Sequence, residues 1–352
     1  MKSTKHILML TPLFPEDETY DTCQPSLQVF VKELALSRPD VKVSVISFHQ
    51  PVREKPYKWH GVDVYTCNAN FKNKLFKIPH LLKVFPYAKE INKKQKIDCI
   101  HSFWLTDCAA YGNLLSNMYK IPHYCTAMGQ DVRASSKYLK IINFKKINKL
   151  VMLSSFQDAV FKKNKANTNT LIIPWGLDVK NFPKFNNNER PIDILGVGSL
   201  IGLKNYQSFI RVVAELVKQF PNIKTYILGE GVSENQLRNQ IKKLKLEKNI
   251  ILTGQVARRE VVEYMSKSKI LLHPSNFESQ GYIFYEALHS GMQVISFKVG
   301  IAEANMKWFV AKSELEIIDR LSKLLLHKQN YDPHPVETVE DTVRKYCEWV
   351  YF

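Results

Sequence analysis

The sequence lacks most of the short signatures that would settle its chemistry at once. No G-x-G-x-x-G follows the first strand-like run, His6-Ile7-Leu8-Met9-Leu10; Thr11-Pro12-Leu13-Phe14-Pro15 stands there instead. That argues against an ordinary dinucleotide dehydrogenase, whose glycines let the backbone approach a pyrophosphate. There is likewise no Walker A sequence and no H-E-x-x-H. Long apolar runs are missing: none reaches the length of a membrane span, and the one near the N-terminus is too short for a secretory leader, so no signal peptide is expected. The six cysteines (23, 67, 99, 108, 125 and 347) have no C-x-x-C spacing. They are expected as reduced, mostly buried thiols of a cytosolic protein, not as a metal site or a disulfide framework. Acidic residues are few, 33 against 50 Lys and Arg, giving a formal charge of +17. No helix-turn-helix, zinc-finger or RNP pattern accompanies the lysines, so nucleic acid is not the expected partner.

Part of the positive charge is concentrated. Between Phe71 and Lys96 lie eight lysines (72, 74, 77, 83, 89, 93, 94, 96) and one acid, Glu90, interleaved with Leu75, Phe76, Ile78, Leu81, Leu82, Val84, Phe85 and Tyr87. Two readings stand. Such a segment can lie on an anionic bilayer, each surface Lys adding up to ~1 kcal/mol, which would make the protein peripheral on the inner membrane face. It can equally be a lysine-rich, solvated helix face.

A chain of 352 residues suggests two domains. Strand-like runs recur near 6–11, 41–48, 62–66, 97–101, 123–126, 149–153 and 170–173, then near 192–198, 224–229, 249–253, 269–273 and 293–297. Helical patterns fall at 27–37, 79–92, 106–119 and 155–162, then at 205–219, 233–245, 258–267, 281–290 and 313–326. Alternating strands and helices predict an α/β protein of two doubly wound, Rossmann-like parallel-sheet domains facing a central cleft. Phe182-Pro183-Lys184-Phe185-Asn186-Asn187-Asn188 reads as the connector.

In the second half the candidate residues all follow strands, where ligands of parallel sheets bind. Gly198 and Ser199 close the run at 192–198, Lys204 enters the next helix, and Gly229-Glu230-Gly231 and Gly254-Gln255-Val256 close the next two. Lys204 can neutralise a diphosphate and Gly198 permits close backbone approach. After Ile270-Leu271-Leu272-His273-Pro274-Ser275 come Glu278 and, eight positions on, Glu286, with Gln280, Gly281 and Tyr282 in the turn between. Two carboxylates would repel a phosphate but can accept hydrogen bonds from sugar hydroxyls, so the pattern suits a nucleotide-sugar.

In this order the second half resembles the donor domain of retaining GT-B glycosyltransferases, in particular glycosyltransferase family four (the group 1 glycosyltransferases). The resemblance rests on Val197-Gly198-Ser199-Leu200, Lys204-Asn205, Ile227-Leu228-Gly229-Glu230-Gly231, Leu252-Thr253-Gly254-Gln255-Val256, Pro274-Ser275 and Glu278-x7-Glu286-Ala287-Leu288-x2-Gly291. It is looser in the first half, at Met128-Gly129-Gln130-Asp131 and Ile173-Pro174-Trp175-Gly176-Leu177-Asp178. It implies a first domain at 1–178 for the acceptor, a donor domain at 179–330, and a segment 331–352 whose helix crosses back to the first. It further implies catalytic roles for Glu278, Lys204 and Asp131: Glu278 facing the transferred sugar, Lys204 neutralising the diphosphate, and Asp131 near the reacting sugar. Glu286 would grip the ribose. Gly198, Ser199, Gln280, Gly281, Tyr282, Gly254 and Val256 would line the donor site, without a metal or other cofactor. His101, Trp104 and Met128 fall on the acceptor side, His101 being more readily a structural histidine; His273 and His289 read as structural.

Three departures stand out. The loop after the first strand has no glycine, Met128 replaces a histidine, and Ser199 replaces an arginine five residues before Lys204. Arg133, Arg258 and Arg259 are the available substitutes, each also readable as a solvated surface charge. The expected activity is transfer of a hexose, with retention, to a saccharide or lipid-linked saccharide in surface-polysaccharide biosynthesis. The alternatives are a GT-B-fold sugar-nucleotide epimerase and a catalytically weakened nucleotide-sugar-binding scaffold.

Overall fold

The computed structural model describes residues 4–20, 23–70, 74–184 and 189–352, and only the backbone at 74–76. Phe71, Lys72 and the connector positions Phe185 to Asn188 lie outside the described residues. The chain divides into two compact units, Met1–Gly176 with Thr338–Phe352, and Leu177–Glu337.

The first unit runs β1 (Lys5–Leu13), α1 (Pro25–Ser37), β2 (Val41–Gln50), β3 (Tyr57–Trp59), β4 (Val62–Thr66), α2 (Lys74–Leu81), α3 (Val84–Lys94), β5 (Cys99–Phe103), α4 (Asp107–Tyr119), β6 (His123–Thr126), α5 (Tyr138–Ile141), β7 (Lys149–Met152), α6 (Ser155–Lys162) and β8 (Leu171–Ile172). These strands form one sheet ordered β3-β4-β2-β1-β5-β6-β7-β8, parallel except that β3 runs antiparallel to β4. Residues Ile7 to Leu10 of β1 are all at most 1% exposed, as expected of a central strand covered on both faces. On one face Leu8, Leu10, Ile46 and Phe48 meet Leu81, Val84 and Ala88 of α2 and α3 and Cys108 and Leu115 of α4.

Three local expectations are corrected. The strand expected at 97–101 is β5, two residues later, because the Asp98 carboxylate accepts the His6 N–H and ladder pairing starts at Ile7 with Cys99. The single helix expected at 79–92 is two, α2 and α3; Pro79 lies inside α2, removes one backbone donor and weakens the run across that point. The strand β3 escaped notice at three residues.

The second unit runs β9 (Ile192–Val197), α7 (Tyr206–Val217), β10 (Thr225–Leu228), α8 (Glu234–Lys243), β11 (Ile250–Gly254), α9 (Arg258–Ser266), β12 (Ser268–His273), α10 (Ile283–His289), β13 (Gln293–Phe297), β14 (Trp308–Ala311) and α11 (Glu314–Leu326). Its sheet order is β11-β10-β9-β12-β13-β14, parallel throughout. The chain winds outward from β9 in one direction, then returns past it to β12. The crevice between the carboxyl ends of β9 and β12 is therefore where such a sheet binds ligands.

The last helix, α12 (Val339–Tyr346), belongs to the first unit. Its Tyr346 ring lies 4.8 Å from Phe30, which lies 4.7 Å from Trp175, and all three are at most 1% exposed. Truncating such a ring costs about 3–5 kcal/mol. The returning segment starts at Thr338, not at 331. Residues before it stay with the second unit because the His334 N–H donates to Leu288 O at 2.9 Å, Lys307 donates to Asn330 O at 2.9 Å and Arg190 stacks 4.3 Å over Tyr331.

Candidate active site

Three strand ends in the second unit are stitched together by turns with glycine at positive φ. Gly198 after β9 has φ 144°, Gly229 after β10 has φ 136° and Gly254 ending β11 has φ 77°, all in the region that penalises a side chain. The Gly198 N–H donates to Leu228 O and the Gly229 N–H to Gly254 O, both at 2.9 Å. A Cβ on Gly229 would fall 2.1 Å from the Gly198 carbonyl oxygen. Over these turns lies a cavity of about 840 Å³ lined by Gly198, Ser199, Gly229, Glu230, Gln255 and Val256 among others, with no Lys or Arg in its lining.

The loops after β9 and β12 are tied to each other. The Asn276 N–H donates to Leu203 O at 2.9 Å, and Ser275 Oγ donates to the same oxygen at 3.1 Å and to Phe277 O at 3.0 Å. This knot brings Lys204 Nζ to 2.5 Å from Glu278 Oε1, and His273 Nε2 lies 2.8 Å from the same oxygen. Burial alone would raise the Glu278 pKa, but His273 and Lys204 overcome it and hold the carboxyl down at about 2. Burial first, with Lys204 adding to it, holds the His273 pKa below its usual value despite Glu278. At neutral pH Glu278 is therefore a carboxylate and His273 a neutral imidazole. His273 is thus a direct partner of Glu278 rather than only a packing residue, and its place at the end of β12, five positions before Glu278, was the available signal.

Glu286 sits in the first turn of α10, 5% exposed, with Arg258 Nη2 at 2.5 Å. Burial pushes its pKa up and Arg258 opposes that. Arg258 is therefore no solvated surface charge. Arg259 is exposed, and Arg133 reaches Gln130 on the other unit's surface at 3.3 Å. The turn before α10 differs in detail from expectation. The helix begins at Ile283, not 281, so Gly281 (φ 78°) and Tyr282 are turn residues. The Gln280 carbonyl accepts the Ile301 N–H at 2.9 Å, an engagement with the loop after β13 that spacing did not show. Tyr282 packs with Leu177, Phe182 and Val262 and lies under Arg258, 5.8 Å from ring centre to guanidinium.

In the first unit, Trp104, Met128 and Asp131 gather at the carboxyl ends of β5 and β6. Trp104 has φ 69° and turns its indole over Gly129, where an added Cβ would lie 3.7 Å from Nε1. Asp131 is turned inward: it accepts N–H groups of Leu105 and Gly129 at 2.7 Å each and of Met128 at 3.3 Å. Burial pushes its pKa up against those three donors. In this structure it shapes the loop. His101 takes the position of the structural histidine that the sequence also offered. It is 0% exposed, with Nδ1 2.6 Å from Tyr351 Oη and Nε2 2.8 Å from Thr126 Oγ1, so neither nitrogen is presented to a ligand. At the same sheet edge the sequence reading missed Asp107, whose Oδ2 lies 3.1 Å from His49 Nε2 and 3.3 Å from Lys77 Nζ.

Comparison with known proteins bears on the family and the fold. Residues 179–340 match the family model "Glycosyl transferases group 1". The chain is 23% identical to the phosphatidylinositol N-acetylglucosaminyltransferase gpi3 subunit of Schizosaccharomyces pombe over 84% of its own length and 67% of that protein's. It is 25% identical to the alpha-monoglucosyldiacylglycerol synthase of Streptococcus pneumoniae over 60% of its length and 54% of that protein's. Its fold is shared by Anabaena Alr3699/HepE, solved in complex with UDP and glucose, with a TM-score of 0.71, 16% identity and 99% of each chain covered. Residues Val179 to Glu340 belong to the group 1 glycosyltransferases, and the chain is built on the GT-B fold.

Proposed function

We propose that this chain transfers a hexose from a nucleoside diphosphate sugar to a saccharide or lipid-linked saccharide, with retention at the anomeric carbon, in surface-polysaccharide assembly. The observation that carries the reading is the contact of Lys204 with Glu278 at the crevice between β9 and β12. The relatives support it: two are named for N-acetylglucosaminyl transfer and glucolipid synthesis, and a structural neighbour holds UDP and glucose.

The chemistry follows from charge. As the C1–O bond to phosphate breaks, negative charge grows on the leaving nucleoside diphosphate. Lys204 exchanges Glu278 for that phosphate, and the freed carboxylate accepts hydroxyls of the sugar; Glu286 does the same for the ribose as Arg258 yields. The acceptor hydroxyl attacks C1 on the face the phosphate leaves, and its proton passes to the departing phosphate oxygen, so retention needs no protein base. Lys204 meets the charge that a divalent metal would otherwise meet. A charge-assisted contact of this kind is worth about 3 kcal/mol in the transition state. Trp104 and the group of Asp107, His49 and Lys77 are the acceptor-side candidates.

The acceptor reaches the protein on an anionic membrane surface in this reading. Residues 71–170 contain 18 Lys and Arg and 5 Asp and Glu, so +13 of the chain's +17 lies in this stretch. It spans α2 to α6, with Ile78, Leu82, Leu114, Met118 and Ile141 49–63% exposed. No helix among the described residues is long and apolar enough to cross a membrane, so attachment would be from the side. Each added surface Lys contributes up to ~1 kcal/mol on anionic lipid. Binding to phosphatidylglycerol vesicles and not to phosphatidylcholine vesicles at low salt is expected; equal indifference to both rules the surface out.

A thermal-shift panel of UDP-, GDP- and ADP-sugars tests the donor reading directly. A ligand at 100 times its Kd stabilises by roughly 2.7 kcal/mol, and no response to any of them sinks it. Epimerisation of a free nucleotide-sugar without acceptor would replace transfer by the epimerase alternative.

A further inference from the structure

Tyr206, the first residue of α7, is buried beside the proposed phosphate site with an unanswered hydroxyl. It is 3% exposed, and its Oη has no hydrogen-bond partner among the described residues. The ring runs along the end of β9: a Cβ added to Gly196 would meet ring atom Cε1 at 3.0 Å. The hydroxyl reaches the glycine turn, 3.3 Å from the Cβ position of Gly198, where Lys204 Cε lies at 3.4 Å. The oxygen therefore ends beside the stem of the lysine that is bonded to Glu278. Burial, with the charge of Glu278 added, pushes the phenol's pKa far up.

We infer that Tyr206 Oη donates a hydrogen bond to the distal phosphate of the bound nucleoside diphosphate sugar, an inference that rests on the donor reading above. A buried hydroxyl without a partner destabilises the fold that contains it, which makes sense of a group whose partner arrives with the ligand. The phenol stays protonated and acts as a donor, so the partner must be an acceptor. Glu278 Oε1 is already taken by Lys204 and His273. The cavity over the glycine turns supplies no cation and lines one side with Glu230 and Glu234, so an anhydride there needs uncharged donors in addition to Lys204. When Lys204 leaves Glu278 for the phosphate, its stem moves off the position it shares with the hydroxyl, and the phenol meets the same phosphate oxygens. Because the leaving phosphate gains charge as C1–O breaks, this bond strengthens in the transition state.

The test is Tyr206→Phe, which removes one oxygen and keeps the ring packed. Affinities for UDP, GDP and ADP and for the matching monophosphates are measured calorimetrically, with melting temperatures and transfer rates. Expected are about a tenfold or greater loss of affinity for whichever diphosphate the wild-type binds, no change for its monophosphate, a lower kcat and an unchanged or higher melting temperature without ligand. Equal loss for diphosphate and monophosphate, no loss for either, or a lower melting temperature without ligand overturns the role of Tyr206. If the wild-type chain binds none of the three diphosphates, the donor reading itself has failed and the inference falls with it.

Discussion

Removing Arg258 strands a carboxylate. In Arg258→Ala, Glu286 keeps its buried position, 5% exposed, but loses the guanidinium that lay at 2.5 Å. Breaking a buried pair by removing one partner costs about 3–5 kcal/mol; Arg258 is itself 25% exposed, so the lower figure of about 3 applies. At 2–4 °C per kcal/mol for a unit of this size, the melting temperature should fall by roughly 6–12 °C at pH 8. The sign of the pH dependence follows from the direction of the Glu286 shift. Burial raises its pKa in the folded state above the ordinary 4.5, so the fold holds that proton to higher pH than the unfolded chain does. Stability therefore falls as pH rises from 4.5 through the folded value. Without Arg258 the folded value moves higher and the fall widens, so the variant should lie near wild-type at pH 5 and well below it at pH 8. Adding Glu286→Gln to Arg258→Ala should restore most of the loss, because the amide carries no charge to desolvate. Differential scanning calorimetry of the three variants at both pH values decides it. A deficit that is the same at pH 5 and pH 8, or a double variant no better than the single one, would refute the reasoning.

Lys204→Ala and Glu278→Ala should each lower transfer about 10²–10³-fold in a product assay, whereas EDTA should leave the wild-type rate unchanged if Lys204 serves in place of a metal. Glu278 contributes stability that is present above pH 4.5 and is lost as pH falls toward about 2; Glu278→Gln should flatten that acid limb of the melting curve. Gly229→Ala, with its Cβ placed 2.1 Å from the Gly198 carbonyl oxygen at φ 136°, should displace both turns. The expected readout is weaker nucleotide binding by calorimetry and a stability loss of about 1–3 kcal/mol.

The order of strands and helices was legible because a parallel sheet covered on both faces writes itself as apolar runs separated by amphipathic segments. The second unit was read almost residue by residue up to β13. The strand β14 was missed because Trp308-Phe309-Val310-Ala311 is too short to show a period, and the break between α2 and α3 because a proline can sit within a helix or end it. Spacing along the chain brought out Glu278, Glu286, Lys204 and the glycine turns, whose residue types are dictated by charge and by φ. It could not show which cation meets which carboxylate, since Lys204 and Glu278 are 74 positions apart and Arg258 approaches Glu286 from another helix. Nor could it separate an aspartate aimed at substrate from one turned on its own loop, because Asp131 bonds to backbone N–H groups that every residue has.

The first unit is not contiguous, and this bears on how the molecule is made. Leu177–Glu337 is an unbroken stretch that can close as soon as it leaves the ribosome, whereas Met1–Gly176 must wait for the final fifteen or so residues to supply Tyr346 and Tyr351. Until then the surface around Phe30, Trp175 and His101 stays uncovered, an apolar patch in the nascent chain that invites chaperone engagement. Loss of the last helix would leave it uncovered permanently.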